Sequence, residues 1–457
     1  MMQMSGERSI CLENKKKIEI PPGAAHILRV LESRGYEAYV VGGCVRDSLL
    51  GRTPNDWDIT TSALPQQVKA LFPRTVDTGL KHGTVTILGG RDAYEVTTYR
   101  VDGEYLDGRH PKDVTFTASL REDLQRRDFT INAMAYSEKD GLQDYFDGLS
   151  DLERGIVRAV GDPEKRFGED ALRIMRAVRF AAQLGYDVEE KTLRAMKDLA
   201  PTLSKISAER IAVELEKLLL SPHPDKLFMA YECGITKVIM PEFDLCMVTE
   251  QNNPHHLYTV GEHTVRAVMS ARPNRILRLA LLFHDFGKPE CRTTDKQGID
   301  HFHGHPEKSA QIADSILRRL KSDNDTRKSV VRLVRYHDRE VRLTMPGVRK
   351  AVMEIGEDLF PLLLDVKEAD ISAQSGYRRQ EKLDLLAAVR RLYREILEAE
   401  DCISLRDLAV NGGDLIANGM KPGRQIGEVL QMMLSDVVED PSHNDRDYLL
   451  KKYVPTK

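Results

Sequence analysis

Near Asp162 the periodicity of this sequence changes. Before that point, short β-rich runs alternate with turns. After it, β-branched alternation fades and apolar residues recur at helical spacing nearly to the C-terminus. A sheet of any size is therefore confined to the first third, and the remainder must bury its apolar faces helix against helix. At 457 residues the chain exceeds one typical core, so three or more domains are expected, in an α+β arrangement with a mixed α/β head and an all-helical remainder.

Within the head, "AAHILRVLESRG" has helical spacing and stops at Gly35, and "YEAYVVGG" reads as a strand ending in glycines. "CVRDSLLG" opens a short helix, "WDITTSA" is a second strand, "PQQVKALFP" is helical, and "TVTILGGRDAYEVTTYR" is a hairpin around Gly89–Gly90. "SPHPDK" and "TEQNNPHH" mark two joints farther on. Six scattered cysteines form no CxxC pair, the N-terminal segment lacks the apolar stretch of a signal peptide, and no apolar run approaches a membrane span. These features point to free thiols in a reducing cytoplasm, with no membrane partner. A net charge of −4 requires any nucleic-acid site to come from local basic patches.

"NDWDIT" places Asp56 and Asp58 two apart at the start of a strand pattern, where residues i and i+2 share a face. Two carboxylates so close repel unless a cation lies between them. Mg²⁺ is the natural choice, because it binds through one or two carboxylates plus substrate phosphates. Just upstream, "GGCVRD" leads glycines into a helix N-terminus beside Arg46, a suitable cradle for phosphate. Glu95, on a strand expected beside the first, adds a third carboxylate and suits a two-metal clamp on a phosphoryl displacement.

"GGCVRDSLLGRTPNDWDITTSALP" resembles the signature of the polymerase-beta-like nucleotidyltransferases. "RRDFTINAMAY" and "RFGEDALRIMRAVRFAAQLG" narrow the resemblance to class II tRNA nucleotidyltransferases and bacterial poly(A) polymerases, and "NGGDLIANGMKPGRQIG" extends it to the C-terminal segment. The resemblance implies that Asp56 and Asp58 hold the catalytic Mg²⁺ and that Gly43 and Arg46 meet the nucleotide phosphates. It also implies that Arg127 contacts the nucleotide, that Asp128 and Asn132 read the ribose, and that Arg176 and Arg179 contact phosphate or RNA. The domains it implies are a head at 22–157, a neck at 158–225, a histidine-rich domain at 226–380 and a tRNA-binding segment at 381–457. Residues 100–116 look like the loop the family uses when adding the final A, which argues against a CC-only enzyme.

"EDALRIMRAVRF" is expected to be one helix, with Asp170 and Arg173 on a shared face. An acceptor beside a donor matches the amino and ring-nitrogen edges of cytosine and adenine and meets like groups on guanine and uracil. Each mispaired hydrogen bond costs roughly 1–3 kcal/mol, so the pair selects CTP and ATP without a nucleic-acid template. A salt bridge on the helix surface is the plainer alternative.

Between 255 and 370 the series His263, His284–Asp285, His305, His337 and Asp370 resembles the HD phosphohydrolase superfamily. Imidazoles with carboxylates suit Mn²⁺, Ni²⁺ or Fe²⁺, and also Mg²⁺, and a bound water would cleave phosphate esters. His303 competes with His305, which opens the "HPEKSA" helix and is preferred. The reading as a whole is a tRNA nucleotidyltransferase, monomer or homodimer, that builds or repairs the 3′ CCA end of tRNA from CTP and ATP. The alternatives are a poly(A) polymerase or A-adding enzyme, an HD phosphohydrolase with a tRNA-binding head, and a purely RNA-binding protein.

Overall fold

The computed structural model describes residues 17–89, 92–103 and 114–454 and divides into two compact units between Ile239 and Met240. The first unit opens with α1 (Pro22–Ser33), which has proline in its first turn and is followed by Gly35 at φ +83°. Next come β1 (Ala38–Val41), α2 (Gly43–Leu49), β2 (Ile59–Thr61), α3 (Pro65–Leu71), β3 (Thr75–Gly79), β4 (Thr84–Gly89) and β5 (Asp92–Thr98). They are followed by β6 (Arg100–Asp102), β7 (Val114–Phe116), α4 (Leu120–Gln125), β8 (Met134–Ser137), β9 (Gly141–Asp144) and α5 (Gly148–Arg154). One sheet runs in the order β3-β4-β5-β2-β1-β8-β9, with β2 and β5 parallel and every other neighbouring pair antiparallel. All four residues of β1 are buried, so "AYVV" is apolar throughout rather than alternating, as a strand covered on both faces requires. Tyr39, Val41, Tyr99, Leu120, Leu124, Ala133, Ala135 and Val160 form a core under this sheet.

The helical part of the first unit comprises α6 (Pro163–Glu169), α7 (Leu172–Leu184), α8 (Glu190–Leu199), α9 (Ala208–Leu219), α10 (Leu227–Glu232) and α11 (Ile235–Ile239), and α7 packs on α9. The single helix expected across "EDALRIMRAVRF" is in fact two. Asp170 leaves helical geometry at φ −143°, ψ 103°, and its carboxylate accepts from the Leu172 amide at 3.0 Å, satisfying a donor at the start of α7.

The second unit is helical apart from the two-residue strands Thr293–Thr294 and Asp300–His301 among the described residues. It contains α12 (Pro241–Met247), α13 (Val260–Ser270), α14 (Arg275–Phe283), α15 (Lys288–Cys291), α16 (His305–Arg319) and α17 (Asn324–Tyr336). It continues with α18 (Met345–Ile355), α19 (Phe360–Ala373), α20 (Arg379–Glu398), α21 (Gly412–Ala417), α22 (Arg424–Glu439) and α23 (Arg446–Tyr453). Local signals set several starts: a Thr259/Glu262 capping box for α13, Asn274 for α14 and Asp323 for α17. Val410, Leu415, Met433, Leu434, Val437 and Leu449 form a separate C-terminal core. "SPHPDK" lies inside the first unit and "TEQNNPHH" inside the second, so neither coincides with the division at 239/240. Among the described residues no helix is long and apolar enough to cross a membrane.

Candidate functional sites

The strand proper begins only at Ile59, so Asp56 lies on the extended approach to β2 rather than on the strand, one residue past the bend at Asn55. Asp58 is nonetheless held in register: its carbonyl accepts from the Val41 amide of β1 at 2.9 Å. The parallel pairing Ile59↔Val96 puts Asp58 beside Glu95, one residue earlier on each strand. The three carboxylates face solvent and sense one another. Partial burial lifts Asp58 above the usual carboxylate range; Arg127 draws it down and Asp56 pushes it further up. Glu95 is raised by partial burial, then by Asp58 and Asp56. Hard oxygen donors that repel in this way fit a divalent cation such as Mg²⁺.

Behind this cluster the chain turns at Gly42, φ +82°, whose amide donates to the Met134 carbonyl at 3.1 Å. A Cβ there would come within 2.9 Å of Arg127 Nη1, so only glycine lets β1 turn into α2 past that guanidinium. Arg127 also lies 3.8 Å from Asp123, a fully buried carboxylate. Asp123 accepts from Thr60 Oγ1 at 2.9 Å on β2 and from Arg126 Nε at 3.0 Å.

The residues expected to read phosphate and ribose form one network. Arg46 Nη1 donates to Asn132 Oδ1 at 2.5 Å, Asn132 Nδ2 to Asp128 Oδ1 at 3.1 Å, and Arg176 Nε to Asp128 Oδ2 at 2.8 Å. Burial alone would raise Asp128, but Arg176 and the Asn132 hydrogen bond outweigh it and hold the carboxyl at about 2. Arg179 pairs with buried Glu214 at 2.8 Å. Three guanidiniums surround the Phe180 ring, at 4.0 Å for Arg179, 5.1 Å for Arg46 and 5.3 Å for Arg176.

Asp170 and Arg173 do not share a helix face, because α7 begins after Asp170. Asp170 is bound instead by Arg210 Nη2 at 2.7 Å. Arg173 is held by Glu169 Oε2 at 2.6 Å and by the carbonyls of Arg166 and Arg126. Each side chain of the expected base reader thus has its own anchor. Residues 104–113 of the expected A-adding loop lie outside the described residues; the flanks pair as β6 and β7.

The histidine-rich site lies wholly in the second unit. His263 comes from α13, His284 and Asp285 follow α14, His305 opens α16, His337 follows α17 and Asp370 is on α19. His263 Nε2 is 2.8 Å from Asp370 Oδ1 and 3.4 Å from His284 Nε2, while His305 Nε2 is 3.2 Å from His337 Nε2. His284, His305 and His337 each direct Nδ1 at a backbone carbonyl three residues earlier, at 2.6, 2.8 and 2.7 Å. Those bonds put the proton on Nδ1 and leave the Nε2 lone pairs facing inward, the tautomer a metal requires. Buried Asp285 Oδ2 has no aligned hydrogen-bond donor, although Lys288 Nζ lies 2.7 Å away. Opposed imidazole lone pairs around a buried carboxylate fit a divalent transition metal. His303 is exposed and stacks on His301, so the structure places His305, not His303, in the cluster. A cavity of about 310 Å³ opens onto the site, lined in part by Asn253, His256, Lys288 and Gln374.

Several contributors had little or no signal in the sequence. Asp123, Arg210 and Glu214 act from elements distant in the chain. Phe180 reads as an ordinary core aromatic at helical spacing. Lys288 was visible in "HDFGK", where a turn brings residue i+3 back onto Asp285.

The chain is similar to known proteins over nearly its whole length. A model of the Poly A polymerase head domain matches residues 38–158, and one for tRNA nucleotidyltransferase domain 2 matches residues 301–453. A CCA-adding enzyme of Lactiplantibacillus plantarum is 57% identical over 428 residues, 93% of this chain and 94% of its own. One from Leuconostoc mesenteroides is 37% identical over 433 residues, 94% of each chain. A crystal structure of the Bacillus stearothermophilus CCA-adding enzyme in complex with CTP aligns with TM-score 0.68 at 31% identity, over 95% of this chain and 98% of that one. A Thermotoga maritima CCA-adding enzyme complexed with tRNA shares the fold, with TM-score 0.55 at 20% identity over 95% of this chain and 96% of that one. With Asp58 in register with Glu95 at the start of the β2–β5 ladder, arginines gathered on α2 and α7, and relatives matched over nearly their whole length, the chain belongs to the family of CCA-adding enzymes.

Proposed function

We infer that this protein adds or repairs the 3′-terminal CCA of tRNA, taking CTP and ATP in turn without a nucleic-acid template. The observation that carries the reading is the register of Asp58 against Glu95, with Asp56 near enough to bear on the charge of both: three carboxylates beside a glycine turn and a group of arginines. The tRNA 3′-hydroxyl attacks the α-phosphate of the bound nucleotide and pyrophosphate leaves. Asp56 and Asp58, with Glu95 beside them, would hold Mg²⁺, which would supply charge neutralisation on the triphosphate and a more acidic attacking hydroxyl. Arg46, Arg176 and Arg179 bind phosphate, and Arg127, behind Gly42, adds positive charge at the turn. Gly43 presents an amide free of any side chain. Asn132 and Asp128 meet the ribose, and Asp170 and Arg173 present acceptor and donor to the base. We assign the head to 22–157, the neck to 158–225, the histidine-rich domain to 226–380 and a tRNA-binding segment to 381–457.

Incubating tRNA that ends at the discriminator base with CTP, ATP or both tests the reading, with product length resolved on a gel. Three added nucleotides with both substrates and two with CTP alone are expected. A lengthening ladder with ATP alone would make the protein a poly(A) polymerase, and a single A on tRNA ending in CC, with no C addition, would make it an A-adding enzyme.

A second activity is favoured by the inward-facing imidazoles of the second unit: metal-dependent phosphoester hydrolysis, with 2′,3′-cyclic phosphate ends as the substrate class. His263, His284, Asp285, His305, His337 and Asp370 would hold the metal, which supplies an activated water. The double variant His284→Ala/Asp285→Ala is expected to lose transition metal and cyclic-phosphate hydrolysis while CCA addition persists. If wild-type protein supplied with Mn²⁺ or Ni²⁺ binds no metal in this unit and hydrolyses no cyclic phosphate, the site is a scaffold.

A further inference from the structure

We propose that the cavity between α19 and α20 is a binding site for a small apolar molecule carrying one carboxylate, separate from the head and from the histidine-rich site.

Helical spacing builds its walls. α19 turns Leu364, Lys367 and Ile371 toward the cavity, and α20 turns Lys382, Leu386 and Val389 toward it. Within each set the residues lie three, four or seven apart, which keeps them on one helix face. The loop after α17 adds Val341. The space measures about 220 Å³, room for roughly seven waters at ~30 Å³ each. Leu364, Leu386 and Val389 are buried, yet they border this space. An apolar lining holds water poorly, so an apolar body gains by replacing it.

Two ammonium groups line the same space. Lys367 Nζ donates to the His337 carbonyl at 2.7 Å. Lys382 Nζ donates to Gln374 Oε1 at 2.5 Å and lies 3.1 Å from His255 Nδ1. Among the described residues neither lysine has a carboxylate within ion-pair distance, and burial works against both charges. An ammonium has three donors, so each lysine keeps one for an incoming anion without giving up its present bonds. A buried positive charge with only neutral acceptors is relieved by a carboxylate set beside it.

The edge of the cavity limits the charge of the ligand. Asp338 and Glu340 border it from the loop after α17 and are exposed, while Arg339 between them pairs with Glu354. These two carboxylates oppose a polyanion such as a phosphate chain. A single negative charge on an apolar body meets the two lysines with less repulsion.

The test titrates octanoate, labelled with ¹³C at its carboxyl, into the full chain and follows the carboxyl resonance by NMR. One saturable site per chain is expected. Hydrogen bonds to a charged group contribute enough that octan-1-ol and octylamine should displace the label at least ~10-fold less effectively than unlabelled octanoate. Lys367→Met/Lys382→Met keeps the apolar stems and should raise Kd by at least ~10-fold for the same reason. Leu385→Trp changes a lining position that is 47% exposed, so it should obstruct the cavity and weaken binding without disturbing the core. Thermal melting confirms that the variants remain folded, and Leu385→Trp decides the matter if the lysine variant does not. No saturable site, displacement by octan-1-ol equal to that by octanoate, or unchanged affinity in Leu385→Trp would each overturn the proposal.

Discussion

Replacing Phe180 with leucine tests whether the arginine group is organised by an aromatic face. Phe180 is 5% exposed, and three guanidiniums lie 4.0–5.3 Å from its ring, two of them on arginines less than a tenth exposed. Its edge also meets Phe129 at 5.7 Å and 77°. Cation–π contacts are worth about 0.5–1 kcal/mol each at exposed sites and more when desolvated. An edge-to-face aromatic pair adds roughly 0.5–1.5 kcal/mol. Leucine keeps most of the apolar burial but none of these terms, so Phe180→Leu should destabilise the first unit by about 2–4 kcal/mol. Because Arg46, Arg176 and Arg179 lose a common platform, KM for CTP and ATP should also rise several-fold, while Phe180→Tyr, which keeps the ring, should remain close to wild type in both. Urea unfolding followed through the first unit, with initial-rate kinetics on tRNA ending in C, measures the two effects. If Phe180→Leu leaves KM unchanged, or Phe180→Tyr loses as much as Phe180→Leu, the ring is packing material and the arginines are placed by their carboxylates alone.

Asp56→Ala and Asp58→Ala should each lower nucleotide addition by at least ~100-fold with tRNA binding retained in a gel-shift assay; near-normal turnover would remove them from the metal site. Asp58→Asn should raise the melting temperature in chelator, because burial, and then Asp56, raise the folded-state pKa of Asp58, so ionising it costs more in the folded chain than in the unfolded one. Lowering the pH from neutrality toward the ordinary carboxylate range protonates folded Asp58 before the unfolded residue, so the wild type should close that gap, and thermal scans at several pH values would show it. Asp170→Ala or Arg173→Ala should relax base choice more than triphosphate affinity. Arg210→Ala should do the same by freeing Asp170, and a uniform fall for all four nucleotides would make these residues structural.

The sequence made the elements of the head legible because each was locally signalled. Gly42 after "YVV", Pro65 before "QQVKAL" and the β-branched run 84–89 need no distant partner to be read. Glu95 was placed by a single inference, that its strand lies beside that of Asp58, and the parallel β2–β5 ladder has that adjacency. What failed was continuity across Asp170. Helical spacing persists through "EDALRIM", but the aspartate can bond the Leu172 amide and meet Arg210, and those contacts outweigh a periodicity that carries no information about breaks. Glu214 and Arg210 were invisible for a related reason: a carboxylate or its cation reads like any surface charge until the fold brings its partner from tens of residues away, and for Asp123, whose cations Arg126 and Arg127 are local, only the burial and the bond from Thr60 were hidden.

The β2–β5 ladder has a consequence for quality control. Asp58, on the approach to β2, and Glu95, on β5, are 37 positions apart in the chain, and they become neighbours only when the ladder closes at Ile59↔Val96. A slip of one residue would send Glu95 to the opposite face of the sheet and a core valine toward water. On the role proposed for Glu95, a head misassembled in this way lacks its third carboxylate and should be inert, rather than active with relaxed fidelity. For a catalyst that consults no nucleic-acid template, silence is the safer failure: a miswound molecule leaves tRNA ends unfinished for a correctly folded one to complete, instead of sealing them with the wrong letters.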